Sequence, residues 1–110
     1  MKTYVSIHGM DLNSDVAAYL ERRLLYAVSR FATRIERIEA DLIDISGEWG
    51  AGGGVDKRCR IVAMITGIGR LQDDDSELVP LIDRTTDRFG RLVGRKIELR
   101  PLSGRTRSTP

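Results

Sequence analysis

Residues 76–96, SELVPLIDRTTDRFGRLVGRK, decide the fold. At about 100° per residue, Leu78, Ile82, Thr85, Phe89 and Val93 fall on one side of a helix, with Leu81 and Leu92 at its edge. Arg84, Arg88, Arg91 and Arg95, spaced i, i+4, i+7 and i+11, line another side, with Asp83 and Asp87 beside them. One helix therefore carries a stripe for a core and a stripe of guanidinium groups. Such a ridge either tracks a polyphosphate backbone or is a solvated charged face softened by its two aspartates. Gly90 and Gly94 lie one turn apart on a third side, each costing about 1 kcal/mol relative to Ala. They reflect either a close backbone approach to a partner surface or weak selection near a helix end.

Just upstream, Asp73, Asp74 and Asp75 precede Ser76, an N-cap candidate, and their charge complements the positive end of the helix. Neighbouring residues on a chain seldom converge on one ion, so the dipole accounts for them better than a magnesium site. Pro80 falls in the first turn, where its missing N–H costs little. Before the acids comes a short strand, roughly residues 68–73, entered through a turn at 67–69.

Residues 58–66, RCRIVAMIT, read as a strand with Cys59, Ile61, Ala63 and Ile65 on one face and Arg58, Arg60, Val62, Met64 and Thr66 on the other. Between residues 35 and 46, IERIEADLIDIS, helical spacing (Ile35, Ile38, Leu42, Ile45) competes with a strand that switches face through a bulge. The isoleucines and the turn signal after Ser46 favour the strand. The connection GEWGAGGGVD holds five glycines and reads as a flexible loop. Neither phosphate-loop pattern can be laid on it, and Trp49 reads as a plug over a sheet edge rather than an exposed stacking ring.

The N-terminal part supplies one strand and one helix. In TYVSIH, Tyr4, Ser6 and His8 alternate with Val5 and Ile7, as in a half-buried strand. Asn13 or Ser14 then offers an N-cap to a helix reaching about Phe31, with an apolar stripe of Val16, Leu20, Leu24, Ala27 and Phe31. Opposite that stripe, Tyr19, Arg22, Arg23, Tyr26 and Arg30 share an arc. Basic residues interleaved with rings suit a nucleic-acid surface, although tyrosines also serve as amphipathic flanks of a core.

With 110 residues, the chain has room for one real core. Its 41% hydrophobic and 31% charged composition is that of a soluble globular protein, without a leader or a membrane-spanning run, and the expected compartment is the cytoplasm. The net charge of +2 conceals a polarised distribution. Residues 36–56 hold six acids and one base, a net of −5, whereas residues 76–110 hold eight bases and four acids, a net of +4. A lone cysteine, Cys59, and a lone histidine, His8, leave no nucleophile–base pair or metal cluster to assemble. Asp83 and Asp87, as a carboxylate pair, sit beside arginines that would keep both ionised. No catalysis, metal, cofactor or small-molecule substrate is expected.

The element order β-α-β-β-β-α, with a basic face on each helix, resembles the ribosome hibernation-promoting factor and ribosome-associated inhibitor family, also labelled sigma modulation proteins. The likeness rests on residues 7–9, on Tyr19-Leu20-Glu21-Arg22-Arg23-Leu24, and on Leu81-Ile82-Asp83, Asp87-Arg88-Phe89 and the basic series to Lys96. It implies an α+β fold like that of double-stranded-RNA-binding domains, with two helices on one face of a four-stranded sheet. It also implies binding in the rRNA channel of the small ribosomal subunit, blocking messenger and transfer RNA. The RNA-contact candidates it carries over are Arg22, Arg23, Arg30, Arg84, Arg88, Arg91, Arg95 and Lys96; Tyr26 joins them from the helix arc. The glycine-rich loop, the Asp73–Asp75 cluster and Pro80 depart from the family's pattern, leaving open another structured RNA, or an acidic protein partner, for the same arginines. Residues 1–100 are expected to form the ribosome-binding domain and 101–110 a basic flexible tail. Ending at Pro110, the chain reads as a short form without the dimerisation domain of longer members.

Overall fold

The computed structural model describes residues 1–10, 14–46, 55–65 and 68–101. The Asn13 cap, the glycine-rich stretch 47–54 with Trp49, and the tail beyond residue 101 lie outside them, as does the side chain of Ser14. The chain runs β1 (Lys2–His8), α1 (Ser14–Val28), a 3-10 turn (Ser29–Arg34), β2 (Arg37–Asp44), β3 (Lys57–Met64), β4 (Ile68–Asp75) and α2 (Leu78–Pro101). The strands lie side by side in sequence order, β1 parallel to β2 and the other pairs antiparallel. Among the described residues the order of these four strands and two helices is the one expected from the sequence.

Register explains the layering. Val5 pairs with Ala40, Ala40 with Ile61 and Ile61 with Leu71, so one apolar row crosses all four strands on one face. Alternation along β2 and β3 buries Ile38, Ala40, Leu42, Cys59, Ile61 and Ala63, because successive side chains point to opposite faces. Both helices cover that face: Leu20, Leu24 and Val28 of α1 join Leu81, Ile82, Phe89, Val93 and Ile97 of α2 in a single core with the sheet. Residues 35–46 hold no bulge, since β2 pairs without interruption from Arg37 to Asp44. Ile43 faces away from the core, and the buried Ile45 lies just past the strand end, its N–H donating to the Asp56 carbonyl at 2.8 Å.

Three helix details differ from expectation. The α-helical part of α1 stops at Val28, a fully buried residue that the periodicity left out, and the 3-10 turn carries the chain onward past Phe31. Thr86 is as buried as Thr85; their hydroxyls donate to the carbonyls of Ile82 (2.7 Å) and Leu81 (2.6 Å), one turn back, which lets a polar residue enter the core without an unmet hydrogen bond. At the start of α2, Asp75 and not Ser76 receives the backbone: its Oδ1 accepts the N–H groups of Ser76 (2.6 Å) and Glu77 (3.3 Å). β4 accordingly extends to Asp75, two residues further than the sequence suggested.

Candidate nucleic-acid interface

Gly90 and Gly94 face neither an external partner nor a fraying end: they are where α2 crosses α1. A β-carbon on Gly90 would lie 2.8 Å from the Ala27 carbonyl oxygen, and one on Gly94 would lie 3.2 Å from the Phe31 ring. Only glycine permits this approach. Above the crossing the two helices leave an open groove of about 580 Å³. α1 and its 3-10 turn contribute Arg23, Tyr26 and Arg30; α2 contributes Asp87, Arg91 and Arg95.

The candidate residues do not all meet there. Arg84 is held by the neighbouring strand: its Nε donates to Asp73 Oδ2 (2.7 Å), Nη1 to Asp75 Oδ2 (2.9 Å) and Nη2 to the Asp74 carbonyl (3.1 Å). Arg88 Nη1 donates to the same Asp73 oxygen at 2.9 Å. Leu71, Asp73 and Asp75 share the helix-facing side of β4, which is why two carboxylates meet the base of the ridge. The Arg84 guanidinium holds both carboxyls below the ordinary carboxylate range, and they in turn raise the guanidinium's own affinity for its proton. Arg84 and Arg88 are therefore held by β4, and with Arg91 on Asp87 of its own helix, three of the four ridge arginines already pair with a carboxylate. The reading of the three acids as helix-dipole partners holds only for Asp75. Asp74 points to the opposite face and pairs with Arg58 at 2.9 Å, so the cluster cannot close on one ion.

The groove arginines are held unequally. Arg91 donates to Asp87 one turn earlier, at 2.5 Å. Arg23 Nε lies 3.2 Å from Asp83 Oδ1, but its N–H makes no hydrogen bond; the same oxygen accepts the Tyr19 hydroxyl at 2.5 Å. That bond keeps the Tyr19 hydroxyl protonated to higher pH than usual. Tyr19 therefore packs as a core flank and ties α1 to α2, whereas Tyr26 is 78% exposed on the groove rim. Arg30 lies over the Phe31 ring at 5.0 Å and Arg22 over the Tyr19 ring at 5.6 Å. Among the described residues, no carboxylate pairs with Arg22, Arg30, Arg95 or Lys96. Lys96 lies apart from the groove, its chain against Gly69 of β4.

The far side of the sheet has a different character. His8 and Arg60 flank Asp41 at 3.7 and 3.3 Å, and Arg37 pairs with Glu39 at 2.7 Å while covering the Tyr4 ring. Its cations are mostly matched by anions in place. Cys59 lies on the core side, where burial pushes its thiol up to about 12, so the sheet separates it from His8. Among the described residues, no group of three His, Cys, Asp or Glu could hold a metal ion, and no helix is long and apolar enough to cross a membrane.

No family model and no curated protein matches the sequence. Among solved structures, the chain is similar to the N-terminal domain of Thermus thermophilus Protein Y, at 23% identity over 86% of this chain and 98% of that one, with a TM-score of 0.66. It is also similar to a ribosomal subunit interface protein from Coxiella burnetii, at 12% identity over 88% of this chain and 99% of that one, with a TM-score of 0.68. At such identities the likeness is one of architecture: a four-stranded mixed sheet with two helices, matched over nearly the whole of both neighbours.

Proposed function

We propose that this chain is a ribosome-binding translation regulator of the hibernation-promoting factor and ribosome-associated inhibitor kind, whose residues 1–100 seat in the rRNA-lined channel of the small subunit in the cytoplasm. The observation that carries the proposal is the convergence of arginines from α1 and α2 on one outward groove with a single carboxylate in its lining. Two separate helices presenting guanidinium groups to one side suit a folded phosphate backbone. The shared architecture adds support, one neighbour being described as a ribosomal subunit interface protein. In this reading the fold serves as a double-stranded-RNA-binding-domain-like wedge. Arginines fix it on phosphates, and its bulk excludes messenger and transfer RNA.

The working contacts are Arg23, Arg30, Arg91 and Arg95 in the groove, joined by Arg22 and Lys96 outside it, with Arg84 and Arg88 in reserve behind their carboxylates. The test is binding to purified small subunits across a salt series. Each phosphate contact contributes about 0.7–0.9 to the log–log slope, so the six working cations predict a slope of about −5. A flat response would exclude a phosphate-driven interface, and binding that survives nuclease digestion of the subunits would place the contact on protein instead.

A further inference from the structure

We infer that the groove between α1 and α2 is a nucleotide site, in which a base lies against Tyr26 and its flanking phosphates are met by Arg30 and Arg95. The inference rests on the ribosomal reading and narrows it: the protein would select an unpaired nucleotide within structured RNA rather than track a duplex.

Three features point the same way. Gly90 and Gly94 line the groove at the helix crossing, and about 580 Å³ is within the size range of small-molecule sites. Its charge is unbalanced: Asp87 pairs with Arg91 and Asp83 stands beside Arg23, but Arg30 and Arg95 have no carboxylate among the described residues, and this excess favours an anionic occupant. Its rim also carries a flat ring with unusual freedom. Tyr26 is 78% exposed, far from the pattern of Tyr19, which is packed on the core and hydrogen-bonded to Asp83.

Arg30 adds preorganisation. Its guanidinium lies over Phe31 and not against a carboxylate, so it is placed by a ring face and keeps its donors for an acceptor from outside. Among the described residues Arg95 has no anionic partner either. A ring with guanidinium groups around it matches a planar base joined to phosphate. Paired bases in an A-form helix cannot offer their faces, whereas unstacked ones can.

The test uses two RNA hairpins closed by the same non-nucleotide linker, one fully paired and one identical but for a single bulged nucleotide in its stem, with adenosine monophosphate as competitor. Binding is read by fluorescence anisotropy for the wild-type protein, Tyr26→Phe and Tyr26→Ala. The exposed position makes either change harmless to the core. The hairpin with the unpaired nucleotide is expected to bind about tenfold tighter, a preference kept by Tyr26→Phe and lost by Tyr26→Ala, with the salt slope unchanged because every arginine remains. Competition by the free mononucleotide would identify a soluble nucleotide as a second source of the same chemistry; its failure to compete, with the preference intact, confines the site to RNA-borne nucleotides. Equal binding of both hairpins with no mononucleotide binding overturns the inference. If small-subunit binding persists in that case, the ribosomal reading survives without the nucleotide site; if that binding is also absent, both fall.

Discussion

Arg84 of α2 donates its Nε–H to Asp73 of β4 across 2.7 Å, joining two residues from elements that the sequence separates by a turn and the fold sets side by side. The contact gives a physical role to the acidic cluster by which the sequence departs from the pattern of the family it resembles. Asp73 and Asp75 occupy Arg84 and Arg88 as a phosphate would, so under the proposed function RNA would have to displace them to recruit those arginines. Charge-assisted, multidentate bonds of this type are among the stronger ones available to a guanidinium.

Replacing both carboxylates, Asp73→Asn with Asp75→Asn, should therefore strengthen RNA binding and steepen its log–log salt slope by about 1.5, as two more cations reach phosphate. The unfolding midpoint should fall only slightly, since exposed ion pairs contribute little. Anisotropy titrations at several salt concentrations check the first expectation and urea unfolding the second. An unchanged slope would show that Arg84 and Arg88 lie outside the footprint.

The same pair sets an acid response. The folded-state pKa values of Asp73 and Asp75 are lowered, Arg84 being the leading cause for each. Their stabilisation is then fully present above the ordinary aspartate value of about 4 and fades as pH falls through the lower folded values. Urea midpoints compared at pH 7 and pH 3 should drop more for the wild-type protein than for the double Asn variant. Equal drops would assign acid sensitivity to other groups.

Gly90→Ala should destabilise the fold in spite of its better helix propensity. Alanine gains about 1 kcal/mol in a helix interior, but its β-carbon would sit 2.8 Å from the Ala27 carbonyl oxygen, backbone that cannot swing aside. Forcing the helices apart costs about 1–3 kcal/mol. Gly94→Ala should be milder, because the atom it meets at 3.2 Å is the edge of the Phe31 ring. Equal stability of the two variants, by thermal unfolding, would contradict the crossing as described.

Periodicity made the two layers legible, and partnership between distant residues is what it left out. Cys59, Ile61 and Ala63 announce their burial through alternation, and Leu81, Phe89 and Val93 through helical spacing, since both patterns are local. The arginine ridge was equally visible. The clamping of Arg84 and Arg88 was not, because it depends on β4 running alongside α2. A faint signal was present: Leu71, Asp73 and Asp75 alternate, so an apolar inward residue places both carboxylates on the helix side. The glycines' four-residue spacing left a close approach to a partner surface and weak selection near a helix end both open, and only the position of Ala27 and Phe31 shows that α1 is what approaches. The groove follows from that crossing, and no motif encodes it.

The groove arginines are the proposed contact with the ribosome. Sucrose-gradient sedimentation of the protein with small subunits tests that contact most directly, comparing the wild-type chain with Arg30→Glu/Arg95→Glu and with Arg84→Gln. The predicted result is co-migration of the wild-type and Arg84→Gln proteins and loss of co-migration for the double charge reversal, with far-ultraviolet circular dichroism unchanged. Continued co-migration of the folded Arg30→Glu/Arg95→Glu protein would contradict it.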